Sequence, residues 1–284
     1  MHIQYAKRLI RTLRDRLCLV VFSVRSKRRQ FRDRSSLFGS RRTRRFLLLM
    51  AMAAGTLAFG QSPAAAPPSK PGDTSGPATY SSCHVDGPYI ALSFDDGPSP
   101  VTTTQLLDIL EKRGIKVTFF VIGPNVAAHP EIVRRELADG DEIGNHSWTH
   151  PQLSKLSDQR VTEEIAKTQE AIKNACGYTP TLMRPPYGAI TKRQREWIEK
   201  QFGLSVILWS VDPFDWKRPG ASVISQRILS GAEPGSIILS HDIHQQTIDA
   251  MPATLDALLA KGYKFVTVSE LIAMNHPKAS PTPK

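Results

Sequence analysis

Residues 89–99 read YIALSFDDGPS. A short, almost unbroken apolar run is followed by two adjacent carboxylates, Asp95 and Asp96, and then by a Gly-Pro turn. An apolar run of strand length with no polar alternation is what a strand covered on both faces requires, and that is the habit of parallel sheets. Asp, Gly, Pro and Ser each favour a turn for local reasons, so the strand is expected to stop at the carboxylates. Ordinary turn chemistry would explain a lone DDG. What decides its meaning is the company it keeps along the chain.

Six more runs of the same kind follow: VTFFVIG at 117–123, EIGNH at 142–146, TLMRP at 181–185, SVILWSV at 205–211, SIILSH at 236–241 and KFVTV at 264–268. Between them lie stretches with helical patterning, at 102–113, 130–139, 158–175, 191–202, 221–231 and 248–261. In VTEEIAKTQEAIKNA (161–175) the apolar residues Val161, Ile165, Ala171, Ile172 and Ala175 recur near helical spacing. Gly114 stands where the first helix should end. Strands alternating with helices predict an α/β fold with a parallel sheet. About seven such strands in one domain predict a distorted (β/α) barrel, with an open doubly wound sheet as the alternative that periodicity leaves open. There is no internal repeat and no glycine-rich phosphate loop.

The chain has 284 residues and a formal net charge of +11. That charge is concentrated at the start. Residues 1–45 hold 15 Lys and Arg against 2 Asp, leaving 22 basic and 24 acidic residues for the rest. The body is therefore close to neutral and offers no basic patch for a nucleic-acid backbone. The basic stretch runs into an apolar segment, Phe46–Phe59, and then into small residues, which is the layout of a secretory signal. The segment is short for a bilayer span, so an uncleaved anchor is the second reading. SRRTRRFL resembles a twin-arginine signal only faintly, and the length ahead of the apolar run allows a true start downstream of Met1. The expected organisation is a leader or anchor over 1–60, a Pro/Ala/Ser-rich linker over 61–79, one catalytic domain over 80–275 and a tail over 276–284. The domain is expected outside the cytoplasm: periplasmic, secreted or anchored, touching membrane only through an uncleaved leader. It is expected to be a monomer. Cys83 and Cys176 could pair in an oxidising compartment or be separate small hydrophobes.

Polar clusters stand at the carboxyl ends of five strands. They are Asp95-Asp96, HSWTH (146–150), RPPYG (184–188), DPFDW (212–216) and SHDIH (240–244). One such cluster is unremarkable, but five at the same end of one barrel predict a shared cleft. Two His and one carboxylate, with positions left open, suit a catalytic zinc-type site. His146 and His150, four residues apart, can face one ion from a helical turn or a tight loop. A second carboxylate could take the proton of an attacking water, and a further His could protonate a leaving group. That gives two adjacent acids separate tasks.

The five motifs SFDDGPS, HSWTH, RPPYG, DPFDW and LSHD resemble, in order, those of the polysaccharide deacetylases. This family of carbohydrate esterases includes chitin deacetylases, peptidoglycan deacetylases and acetylxylan esterases. The resemblance covers 87–273 and implies a distorted (β/α) barrel that removes acetyl groups from sugars with the help of a divalent metal, zinc being the first expectation. It implies Asp95 as catalytic base, with Asp96, His146 and His150 as metal ligands and Arg184 holding the base. The backbone N–H of Tyr187 would be an oxyanion donor and His241 the catalytic acid, oriented by Asp215. Trp216 and Leu239 would wall the acetyl pocket, with Tyr187 beside it. Ser93 stands where Thr is common. His244 has no assigned role, Asp212 is expected to be structural, and His84, His129 and His276 match no motif.

The expected partner is an N-acetylated glycan polymer, peptidoglycan N-acetylglucosamine first, then chitin oligomers, then O-acetylated xylan. A glycan-binding protein of the same fold without turnover would be marked by loss of Asp95 or of a ligand, and all are present.

Overall fold

The computed structural model describes residues 79–276. The leader, nearly all of the linker and the tail after His276 lie outside the described residues. Eight strands form one parallel sheet: β1 Thr79–Tyr80, β2 Tyr89–Asp95, β3 Thr118–Val121, β4 Glu142–Asn145, β5 Leu182–Met183, β6 Ser205–Ile207, β7 Ile237–His241 and β8 Lys264–Phe265. Their order is β1-β6-β5-β4-β3-β2-β7, with β8 beside the start of β2. Thr79 pairs with Val206, and His276 N–H donates to the His84 carbonyl.

The sheet closes into a distorted barrel through a device the sequence pattern hides. SVILWSV reads as one strand, but it makes two pairings. Ser205–Ile207 pairs with β5 and β1, after which the chain crosses and Val211 bridges Ile238 of β7. Ser210 N–H donates to the Ile237 carbonyl at 3.0 Å, and Leu239 N–H donates to the Val211 carbonyl at 2.9 Å. The ring is thus β2, β3, β4, β5, β6 with its extension, and β7.

Side-chain parity then sorts the residues. Ala91, Phe120, Leu182, Ile207 and Ile237 form one buried cluster with Cys83, Val268 and Leu271. The alternate residues Ile90, Leu92, Phe94, Phe119, Val121, Ile143 and Ile238 pack in a second cluster with the covering helices. A third joins Met183 and Val206 to Val161, Ile165 and Ile198. The sheet is thus apolar on both faces, and each large side chain so buried contributes about 1.5–3 kcal/mol.

Eight helices are described: α1 Thr102–Glu111, α2 Gly123–Ala128, α3 Pro130–Ala138, α4 Asp158–Cys176, α5 Lys192–Phe202, α6 Ala221–Gly231, α7 Gln245–Ala260 and α8 Val268–Ala273. Six match the sequence expectations. The six-residue α2 and α8 were not expected, because a run that short shows no period. Helix α8 sends Val268 and Leu271 into the barrel cluster. The Glu142 carboxylate accepts from Thr118 Oγ1 and Ser269 N–H, and Val268 N–H donates to Thr118 Oγ1. A carboxylate at a helix N-terminus is favoured by the orphan N–H groups there. Cys83 and Cys176 are both free thiols. Among the described residues no helix is long and apolar enough to cross a membrane.

Candidate active site

The inner parity that places Ala91 in the barrel also places Ser93 and Asp95 there, and the register sets Asp95 beside His241 on β7. Asp95 ends its strand almost fully buried. Its charge is met by Arg184, whose Nη1 lies 2.7 Å from Asp95 Oδ1. Arg184 is itself wholly buried and nearly saturated. It donates to Ser93 Oγ at 2.8 Å, to the Leu208 carbonyl at 3.2 Å and to the Ile207 carbonyl at 3.4 Å, and its guanidinium lies 4.2 Å over the Phe120 ring. Burial works against the charge on Arg184, and Asp95 offsets it. A buried pair with its remaining donors satisfied keeps its geometry, whereas removal of one partner typically costs about 3–5 kcal/mol.

Asp96 follows in a left-handed backbone conformation, φ 78°. The turn swings its carboxylate away from Asp95 and toward the two histidines. His146 Nε2 and His150 Nε2 each lie 3.5 Å from Asp96 Oδ1. One ligand atom from each of the three residues falls within 4.8 Å of the others. His146 Nδ1 is 2.7 Å from the Arg184 carbonyl. A carbonyl only accepts, so the proton sits on Nδ1 and the Nε2 lone pair faces Asp96. Burial lowers the pKa of both His146 and His150, which favours the neutral form that a metal ligand requires. Burial pushes the Asp96 carboxyl up, against the attraction of His146.

Asp96 Oδ1 is a buried acceptor with no hydrogen-bond donor among the described residues. An orphaned carboxylate oxygen facing the His146 lone pair and His150 Nε2 fits a divalent cation. His150 is reached by a tight loop rather than a helical turn: Ser147 (φ 66°) and His150 (φ 58°) both take left-handed conformations. Such conformations persist at functional sites when the surroundings over-determine them.

Across from this set stand His241 and Asp215. His241 Nδ1 lies 2.8 Å from Asp215 Oδ1, and His241 N–H donates to Oδ2 at 2.7 Å. Asp215 also accepts from Trp216 N–H at 2.9 Å and from Thr247 Oγ1 at 2.8 Å. Burial opposes charge on His241, but the hydrogen bond and charge of Asp215, with Asp95 and Asp96 adding, push its pKa up to about 9. Asp215 is disfavoured by burial yet held below the ordinary carboxylate value by His241 and Thr247.

Tyr187 sits at φ 61°, is 70% exposed, and its N–H has no acceptor among the described residues. Its ring meets His150 edge-on at 4.7 Å. Trp216 is half exposed beside Asp215, and Leu239 is buried two residues before His241 on the same strand face. Asp212 accepts from Phe214 N–H, a turn role. The His129 and His276 side chains pair with nearby acids, Glu131 and Asp86. His244 lies 6.0 Å from the His241 ring.

Sequence reasoning missed Ser93 as a guanidinium partner, Thr247 as the fourth donor to Asp215, and Glu164. Glu164 is nearly fully buried on α4 and accepts from Trp148 N–H, Thr149 N–H and Thr149 Oγ1. No local motif marks Thr247 or Glu164. Only the Ser93 position, inside the first motif, carried a signal.

The polysaccharide deacetylase family model matches residues 84–207. A peptidoglycan-N-acetylglucosamine deacetylase of Listeria monocytogenes is 48% identical over 182 residues, which are 64% of this chain and 38% of that relative. The chain therefore spans well under half the length of the Listeria relatives it matches. A chitooligosaccharide deacetylase of Bradyrhizobium is 38% identical over 197 residues, covering 64% of this chain and 90% of the relative. A solved peptidoglycan N-acetylglucosamine deacetylase, crystallised with a hydroxamate-type benzamide, superposes with a TM-score of 0.66 at 35% identity, over 70% of this chain and 95% of that one. Barrel, motif order and nearly full-length similarity to the Bradyrhizobium enzyme agree: the chain belongs to the polysaccharide deacetylase family.

Proposed function

We propose that this protein is an exported, monomeric, metal-dependent deacetylase that removes the acetyl group from N-acetylglucosamine in peptidoglycan. The observation that carries the reading is the pairing of two opposed proton-handling groups around one three-ligand set. Asp95, locked by Arg184, and His241, locked by Asp215, are register partners on adjacent strands, with Asp96, His146 and His150 beside them.

Asp96, His146 and His150 would hold the ion, zinc by the donor set. When bound, such an ion polarises an acyl oxygen and makes a water molecule easier to deprotonate. Asp95 takes a proton from the water as its oxygen attacks the acetyl carbon. The Tyr187 N–H faces the charge that develops on the former carbonyl oxygen. The C–N bond then breaks while the His241 imidazolium gives its proton to the departing amine nitrogen, leaving acetate and a free amino sugar. An amide needs that proton because an unprotonated amine is a poor leaving group. Asp215 keeps His241 charged and correctly turned. Trp216 and Leu239 are assigned to the acetyl pocket.

Peptidoglycan is preferred for two reasons: the basic and apolar leader directs the domain outward, and the 48% identical Listeria relatives carry that substrate in their name. Chitin oligomers are the second reading, on the similarity to the Bradyrhizobium enzyme. The test is acetate release from peptidoglycan, chitin oligomers and acetylated xylan side by side, with metal-stripped and zinc-restored protein. Release from chitin but not from peptidoglycan would overturn the substrate. Undiminished release by protein shown by elemental analysis to be metal-free would overturn the mechanism.

A further inference from the structure

We propose that Glu164 is a positioning residue that sets how tightly the site holds its metal, by clamping the loop that carries His150. The loop His146–His150 reverses the chain between two ligands. It does so through two left-handed residues, Ser147 and His150, neither of them glycine. Such a loop holds its shape only if its N–H groups are occupied from outside. Asn145 Oδ1 takes the Ser147 N–H at 2.8 Å, and Ser147 Oγ takes the His150 N–H at 3.1 Å. The two N–H groups between them, of Trp148 and Thr149, both go to Glu164 Oε2, at 2.9 and 2.7 Å. Glu164 Oε1 accepts from Thr149 Oγ1 at 2.8 Å.

One carboxylate therefore gathers three donors from two consecutive loop residues. It does this from a position with 3% side-chain exposure, where water does not compete. Arg160 is the nearest cation, 3.7 Å from Oε1, and is itself half exposed. The other side of the loop is fixed by packing. Trp148 lies so close to Gly123 that a Cβ there would sit 1.9 Å from the indole. The loop is thus held between a glycine of α2 and an acid of α4. His146 needs no such help, because its Nδ1 is tied to the Arg184 carbonyl. Among the described residues no hydrogen bond holds the His150 ring; besides its loop it has the edge-on contact with the exposed Tyr187 ring and Asp96 Oδ1 at 3.5 Å. Groups that orient metal ligands commonly change affinity 10–100-fold when lost.

The inference rests on reading Asp96, His146 and His150 as a metal site, and the test separates the two. Zinc affinity is measured by competition with a chromophoric chelator for the unaltered chain, Glu164→Gln and Thr149→Val. Thermal midpoints are taken with and without metal. Tight binding by the unaltered chain tests the site itself. Glu164→Gln puts an amide N–H₂ against a loop donor and is expected to weaken zinc about 10–100-fold. Thr149→Val, at an exposed position where folding is not at risk, removes one of the three bonds and is expected to weaken zinc several-fold. A purely structural role would lower the metal-free midpoint of Glu164→Gln and leave the zinc affinity of both variants within twofold of the unaltered chain. That result overturns the proposal. If Glu164→Gln does not fold, an unchanged affinity in Thr149→Val overturns it alone.

Discussion

Replacing Asp215 with Asn should move the alkaline limit of activity by more than two pH units. His241 is raised from 6.5 to about 9 although its burial pulls the other way, and the hydrogen bond and charge of Asp215 are the first of the groups that raise it. A divalent ion at the neighbouring site would offset the pull of Asp95 and Asp96, which leaves Asp215 as the group that keeps the imidazolium. Without that carboxylate, burial remains and the pKa falls to 6.5 or below. At pH 8 the protonated fraction then drops from about 0.9 to about 0.03, a loss of roughly 30-fold in active acid before any loss of orientation. The expected kcat/KM profile on an acetamido sugar loses its alkaline limb near 9 and gains one below 7. An activated aryl acetate, whose leaving group needs no proton, should be spared most of the effect.

Titration of the His241 ring by NMR, in metal-free and zinc-loaded protein, reads the same shift without catalysis. An unmoved limb together with an unmoved ring titration in folded Asp215→Asn would refute the reasoning. The same pair couples folding to pH. A histidine whose folded pKa lies above its unfolded value stabilises fully below about 6.5, and the contribution is lost as pH rises through about 9. Asp215, held below the usual carboxylate value, adds stability that is lost at the acid end. The variant should show a flatter stability profile between pH 6.5 and 9.

Asp95→Asn should retain zinc but lose about 10²–10⁴-fold in kcat, whereas Asp96→Asn should lose zinc; equal metal content in the two would show the tasks of the adjacent acids to be misassigned. Gly144→Ala should destabilise by about 1–3 kcal/mol, because a Cβ there would lie 2.4 Å from the buried Phe120 ring; an unchanged denaturation midpoint would mean that the barrel interior yields. A chain starting at Pro77 keeps β1 and should fold and turn over substrate; insolubility of that chain beside an active full-length protein would make the leader part of the fold.

Consecutive residues alone specify seven of the eight described strands, six of the eight described helices and the five polar clusters at the strand ends. These are local properties: an apolar run buried on both faces is written in consecutive residues, and so is the turn that stops it. That Asp95-Asp96, HSWTH and SHDIH meet in one place was legible because such residues, repeated at one end of a parallel barrel, converge by geometry. How they meet depends on contacts between distant segments. Closure of the ring by Val211 on Ile238 could not be read from SVILWSV, because one unbroken apolar run gives no sign of where its hydrogen bonds change partner. The left-handed turn at Asp96, which aims it away from Asp95, could not be read either: Asp tolerates that conformation better than most residues but takes it only where its surroundings select it. Ser93 on Arg184, Thr247 on Asp215 and Glu164 on the His150 loop join positions 15 to 91 residues apart. Each is a hydrogen bond that exists only once the barrel has brought its partners together, since a buried donor or acceptor selects its partner by distance in space and not by distance along the chain.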